Sequence, residues 1–146
     1  MKLDTVNVLL VEDDPGDVLL VREALAEGEV PNRLEVVSDG VEAMRYVRRE
    51  GGYADRARPD LILLDLNLPR KSGAEVLAEI KRDDSLATIP VVVLTTSEAE
   101  EDVMGAYRDH ANAYVTKPVD FARFRDIVTR IDEFFAGVAQ LPPHPA

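Results

Sequence analysis

Four apolar, β-branched runs of the 146-residue sequence each lead straight into polar residues capable of chemistry. Glu12-Asp13-Asp14 follows Val6–Val11, and Asp65-Leu66-Asn67 closes Asp60–Asp65. Thr95-Thr96-Ser97 closes Pro90–Thr95, and Thr116-Lys117-Pro118 closes Asn112–Thr116. Two unit charges about 4 Å apart repel by about 4 kcal/mol at an effective dielectric near 20. If Glu12, Asp13 and Asp65 converge, they therefore need protons or a cation. With no cysteine in the chain and no histidine near these positions, the donors are all oxygen, which suits Mg²⁺ or Mn²⁺ better than Zn²⁺. Asp14, just ahead of Pro15, reads as a helix N-cap. A lone Lys117 would be a solvated charge and a lone Thr95 a plain strand residue. Gathered on one rim with the carboxylates, they supply an ammonium and a hydroxyl. Carboxylate nucleophile, divalent cation, hydroxyl and ammonium together make a phosphoryl-transfer set.

Strands and helices in alternation can build such a rim. Besides the four runs above, Arg33–Val37 makes a fifth strand, ending in an ordinary turn at Ser38-Asp39-Gly40. The runs at 6–11, 60–65 and 90–95 are nearly continuous in apolar residues, as in strands buried on both faces of a parallel sheet. Helical spacing recurs between them at Pro15–Ala26, Val41–Arg49, Ser72–Arg82, Ala99–Asp109 and Asp120–Gly137, with Ser72 and Glu75 set as a capping box. The alternation predicts an α/β, doubly wound, five-stranded parallel sheet with helices on both faces. In such sheets ligands gather at the carboxyl ends of the strands, where the four polar clusters lie. Arg48–Arg58 is a long, basic connection, and Leu141–Ala146 (LPPHPA) reads as a disordered tail. Residues 1–137 are thus expected as one domain and 138–146 as a C-terminal tail.

Composition narrows the partners. The formal charge is −11, which disfavours an electrostatic grip on nucleic acid or an anionic membrane. No apolar run is long enough to span a bilayer, and Asp4 interrupts the N-terminus where an export signal would turn apolar. A soluble, cytoplasmic domain is expected. His110 and His144 are isolated and read as solvent-side residues.

Over residues 4–136 the ordered motifs Glu12-Asp13, Asp65, Thr95 and Lys117-Pro118 resemble the response-regulator receiver domain of two-component signalling. The resemblance implies a flavodoxin-like strand order 2-1-3-4-5, and Asp65 as acceptor of a phosphoryl group from a sensor histidine kinase. It implies Mg²⁺, or Mn²⁺, held by the side chains of Asp13 and Asp65, the backbone carbonyl of Asn67, and Glu12 through a water. Thr95 and Lys117 would each meet a phosphoryl oxygen, and the Lys117–Pro118 peptide bond would be cis. Tyr114 matches the family's aromatic switch: with Thr95 drawn inward, it would alter the face of the fourth helix, fifth strand and fifth helix. No turnover of a separate substrate is implied. The receiver takes up nearly all of the chain, so output is expected through protein contacts, with no direct nucleic acid.

Asp14-Pro15-Gly16-Asp17-Val18, Asp65-Leu66-Asn67-Leu68-Pro69, Thr95-Thr96-Ser97 and the enlarged connection Glu50–Pro59 are similar to the stand-alone regulators of bacterial phytochrome histidine kinases. Glu12 stands where Asp is commonest, and Thr96 where a smaller Ala is often found, which bears on phosphoryl access. The apolar stripe of the last helix continues through Phe134 and Phe135, past what a sheet of ordinary strand length can cover. The residues point to a homodimer through the fourth and fifth helices; the alternative is that both phenylalanines fold back on the first helix. Two other functions use the same residues. A phosphatase of the haloacid-dehalogenase type would place its nucleophile after an early strand in an Asp-x-Asp motif, whereas position 67 is Asn. An adaptor of the same fold would never be phosphorylated. A dinucleotide-binding oxidoreductase is disfavoured, because no Gly-x-Gly-x-x-Gly follows the first strand.

Overall fold

The structure, a computed structural model, describes residues 5–28 and 31–143. Strand and helix alternate throughout: β1 (Val6–Val11), α1 (Pro15–Ala26), β2 (Asn32–Val37), α2 (Gly40–Val47), β3 (Leu61–Leu64), α3 (Gly73–Arg82), β4 (Val91–Thr95), α4 (Glu100–Arg108), β5 (Ala113–Thr116) and α5 (Phe121–Asp132). The strands form one parallel sheet in the order β2-β1-β3-β4-β5. Every residue of β3 and β4 is buried, as their unbroken apolar runs require.

The pleat divides the core into two halves. Leu9, Val11, Ile62, Leu64, Val91 and Val93 face α2, α3 and α4. Val8, Leu10, Leu61, Leu63, Val92 and Leu94 face α1 and α5, where Val21, Leu25, Phe124 and Val128 cover them. Four of the five helices start with a side-chain cap. Asp14 accepts from the amides of Gly16 and Asp17, Asp39 from Glu42, Ser72 from Glu75, and Asp120 from Ala122 and Arg123. Each cap fixes where a helix leaves the strand before it, and hence the rim at the carboxyl ends.

Three regions depart from the sequence expectations. First, the last helix is not α-helical throughout, because residues Glu133–Val138 form a π-helical segment. There the Ala139 amide donates to the Phe134 carbonyl at 2.6 Å, a five-residue span. The two phenylalanines meet edge to face, ring centroids 5.1 Å apart; Phe135 packs on the α1/α5 half of the core, while Phe134 is 53% exposed. Second, Leu141–Pro143 are not disordered. Leu141 packs against the same half of the core, and Pro142 and Pro143 run beneath the amino ends of the strands beside Asp60, Ile89 and Pro90. Composition alone pointed to disorder, but Leu141 finds apolar cover, and the restricted prolines lose little entropy on ordering. Third, the basic connection contains a 3-10 turn at Gly51–Tyr53, where Tyr53 stacks obliquely on Tyr46 with ring centroids 5.2 Å apart.

Asp132 is a buried acid at the α1/α5 contact, 3% exposed, with its carboxylate against Gly28. Burial, and secondarily the charge of Glu133, push its carboxyl above the usual range. The folded state therefore holds the Asp132 proton more tightly than the unfolded chain. Its contribution to stability is largest at low pH and is lost as pH rises through the raised folded value. Asp132→Asn is expected to raise the melting temperature at neutral pH and to have a smaller effect near pH 4. Thermal unfolding of both proteins at the two pH values measures this.

Candidate functional site

The buried ammonium of Lys117, at the end of β5, organises the rim. The amide of Lys117 donates to the Thr95 carbonyl at 2.7 Å, which continues the β4–β5 ladder and aims the side chain across the strand ends. Its Nζ donates to Glu12 Oε2, to Asp17 Oδ2 at 2.9 Å and to Asp65 Oδ2 at 3.1 Å. Glu12 and Asp65 are themselves buried. Burial alone would discharge Lys117, but hydrogen bonds to Glu12 and Asp17 and the Asp65 charge outweigh it and raise its pKa above the ordinary value. Glu12 moves upward too: burial pushes its carboxyl to about 7, against the opposing hydrogen bond from Lys117. One ammonium among three carboxylates leaves the cluster short of positive charge.

Carboxylate oxygens of Glu12, Asp13 and Asp65 all lie within 4.8 Å of one another, the spacing a single cation can bridge. Their donor set is entirely oxygen, as a hard divalent cation requires. The three acids are not equivalent. Both oxygens of Glu12 are engaged, Oε1 by the Asp14 amide at 3.0 Å and Oε2 by Lys117. Asp65 Oδ1 accepts from the Asn67 amide at 3.1 Å. Asp13 is exposed at the rim. The residues present therefore fit a divalent cation.

Thr95, fully buried at the end of β4, sits beside this cluster. Leu64 pairs with Val93, so Asp65 and Thr95 extend from adjacent strands. The Ser97 amide approaches Thr95 Oγ1 at 3.5 Å. Ser97 also ties the rim to Tyr114, whose hydroxyl donates to the Ser97 carbonyl at 2.9 Å while its ring packs partly into the α2/α3/α4 half of the core. Thr96 is exposed beside the rim, Asn67 is exposed, and so is His110; His144 lies outside the described residues.

The Lys117–Pro118 bond corrects an expectation: it is trans, with no cis peptide bond among the described residues. A trans X–Pro bond is intrinsically favoured by about 0.5–1 kcal/mol. The trans chain already brings Lys117 onto all three carboxylates, so these contacts do not require the other isomer. Two contributors escaped sequence reading. Asp17 reaches Lys117 from the first turn of α1, and its only signal was its place three residues after the Asp14 cap. Gly73 starts α3 so close to the acceptor strand that a Cβ there would stand 2.0 Å from the Asp65 carbonyl oxygen. Only a residue without a side chain permits that approach.

With this fold and rim in place, comparison with known proteins assigns the class. The response regulator receiver domain family matches residues 8–129, and the chain belongs to that family. Response regulator Rcp1 of Synechocystis sp. is 45% identical over 135 residues, 92% of each chain. The crystal structure of the phosphorylated cyanobacterial phytochrome response regulator RcpA superposes with a TM-score of 0.94 at 51% identity, covering 96% of this chain and 100% of that one. The Mn²⁺-bound form of Rcp1 superposes with a TM-score of 0.92 at 44% identity, covering 94% of this chain and 99% of the other.

Removing the ammonium tests the charge balance. Breaking a buried ion pair by deleting one partner costs about 3–5 kcal/mol. Lys117→Met is expected to lower the melting temperature sharply in EDTA and to recover a large part of the loss in millimolar Mg²⁺. Equal losses with and without Mg²⁺ would count against a cation site at these carboxylates.

Proposed function

We propose that this chain is a stand-alone response regulator of a phytochrome pathway, taking a phosphoryl group from a sensor histidine kinase onto Asp65. The observation that carries the reading is the placement of Asp65. It is a buried carboxylate at a strand end, bonded to Lys117, 3.1 Å away, and within bridging distance of Glu12 and Asp13. An Asp65 oxygen attacks phosphorus, the bond from phosphorus to the donor imidazole nitrogen breaks, and an acyl phosphate forms. Lys117 stays charged and meets one phosphoryl oxygen; the Thr95 hydroxyl, released from Ser97, donates to another. Mg²⁺, or Mn²⁺ as in the Rcp1 structure, would neutralise the carboxylates and the incoming phosphoryl charge. Asp13 and Asp65 would ligate it directly, with the Asn67 carbonyl, and Glu12 through water.

The phytochrome assignment rests on the similarity to Rcp1 and RcpA and on the enlarged α2–β3 connection. An input face suited to a kinase surrounds the rim. Val119 and Phe121, just past Lys117, are 98% and 72% exposed, and Leu19, two residues past Asp17, is exposed as well. Once phosphorylated, Thr95 moves inward, the Ser97 carbonyl shifts, and the Tyr114 hydroxyl bound to it follows. The change reaches the surface of α4, β5 and α5, where Met104, Tyr107 and Phe134 are exposed. That face supports a homodimer. Cytoplasmic placement fits the kinase partner, and no helix among the described residues is long and apolar enough to cross a membrane.

Two measurements check these assignments. Labelling by radioactive acetyl phosphate is expected in Mg²⁺, to fall to background in EDTA, and to vanish in Asp65→Asn; undiminished labelling of the variant would refute the acceptor assignment. Sedimentation at tens of micromolar is expected to show a dimer that Phe134→Ala weakens. A monomer, with and without beryllofluoride, would exclude the dimer.

A further inference from the structure

The enlarged α2–β3 connection reaches the acceptor segment through an unbroken line of polar contacts. Its 3-10 turn, Gly51–Tyr53, ends on Tyr53, whose hydroxyl donates to Glu42 Oε2 at 2.7 Å. The other Glu42 oxygen accepts from Arg45 at 3.1 Å and lies 4.0 Å from Arg70, in the loop between β3 and α3. Arg70 in turn donates to Asp39 Oδ2 at 3.1 Å. An exposed ion pair alone contributes little. Here Asp39 is buried, and its Oδ1 caps α2 by accepting from the Glu42 amide at 2.8 Å. The guanidinium therefore meets a carboxylate already fixed in place.

The loop that Arg70 ties down carries backbone of the site. The Asn67 amide at its start donates to Asp65 Oδ1 at 3.1 Å. Further on, the Lys71 amide donates to the Pro69 carbonyl at 2.8 Å across Arg70, whose φ is 67°. A two-residue hydrogen bond around a positive φ marks the rare, strained form of the γ-turn. Strain of this kind persists only where the surrounding contacts over-determine it. Glycine or asparagine is the ordinary choice at such a φ, whereas arginine adds a side chain long enough to reach α2. The backbone of α2 closes on the same loop. The Gly40 amide approaches the Pro69 carbonyl at 3.5 Å, and a Cβ on Gly40 would stand 2.0 Å from the Lys71 carbonyl oxygen.

We propose that Arg70 is a positioning residue for the divalent cation. Through Asp39 and Glu42, with Tyr53 behind them, it holds the β3–α3 loop so that Asn67 and Asp65 keep the spacing the ion needs. The inference rests on the reading of Asp65 as a phospho-acceptor with a cation beside it. It gives the long connection a task in that site, which its distance along the chain hides. Arg70 acts through the loop rather than on the ion. Its charge alone has the opposite effect, because a guanidinium near an acidic rim repels a cation. Position and charge therefore predict opposite signs when Arg70 is removed.

The test is a Mn²⁺ titration of the full chain without a phosphodonor, with free Mn²⁺ counted by electron paramagnetic resonance. Wild type is expected to show one saturable site that Asp13→Asn weakens. Arg70→Gly, which suits the positive φ, is expected to weaken Mn²⁺ binding about tenfold. Its melting temperature in EDTA is expected to stay close to that of wild type. Arg70→Lys, which keeps the charge and a long side chain, is expected to retain most of the affinity. Tyr53→Phe changes no charge and is expected to weaken binding about threefold, but to add nothing in the Arg70→Gly background. A wild type without a saturable site would overturn the reading of the rim together with this inference. A wild-type site that Arg70→Gly leaves unchanged or tightens would overturn the inference alone, as would a Tyr53→Phe effect that adds in full to that of Arg70→Gly.

Discussion

The rest of the rim depends on an imbalance of charge around Lys117. A single buried ammonium is shared by Glu12, Asp17 and Asp65, which come from the end of β1, the first turn of α1 and the end of β3. Lys117 comes from the end of β5, on the far side of β4 from β3. These groups meet only if the sheet has the observed order and the crossovers are fully formed, so folding and site assembly are the same event. The arrangement is held together by Lys117 yet left short of positive charge. A stable but undercharged cluster has a strong reason to accept a cation, and with it a phosphoryl group, without reorganising its scaffold.

Transmission away from that cluster follows from uneven packing. β3 and β4 are wholly buried, and α3 places Val76, Leu77 and Ile80 in the core. By contrast, Ala106 is the one buried residue of α4; the helix has no side-chain cap at Ala99 and opens with three acids. The Ser97 hydroxyl holds Asp102 at 2.5 Å, while its carbonyl takes the Tyr114 hydroxyl. Thr95, Ser97, Tyr114 and the start of α4 are thus linked by polar contacts over a lightly packed segment. Segments with few buried apolar contacts open at low cost, and motion at the β4–α4 connection is cheaper than motion anywhere along β3 or α3.

Local features of the sequence carried the elements, whereas the contacts between distant elements were harder to read. β1 and α1 have the expected bounds, and the Asp14 and Ser72 caps hold their helices, because apolar periodicity and cap chemistry act over a few residues. Asp13, Asp65, Thr95 and Lys117 were visible because each abuts an apolar run in which its polarity stands out. Asp17 and Gly73 were not, because their roles arise from residues 100 and 8 positions away and leave no local pattern. The same limit explains the tail: composition described Leu141-Pro142-Pro143, but the apolar floor that Leu141 covers is made by distant strands. The π-helical turn at Glu133–Val138 likewise breaks the uniform 3.6-residue period on which the reading of the last helix rested.

The winding of the fold also sorts charge between the two ends of the sheet. In every strand-to-helix crossover the helix begins near the carboxyl end of its strand, so the positive ends of the helix dipoles collect at the acidic rim. α1 starts just past Glu12-Asp13, and Gly73, the first residue of α3, packs against the Asp65 backbone, so peptide dipoles offset part of the repulsion that Lys117 alone does not. The opposite end receives the helix C-termini and their partial negative charge. There α2 runs out into Arg45, Arg48 and Arg49, and the connection beyond adds Arg56 and Arg58. Arginine at that end meets the favourable ends of the dipoles. The long α2–β3 connection thus does more than lengthen a loop: it sets arginines at the pole of the sheet where the helices favour them.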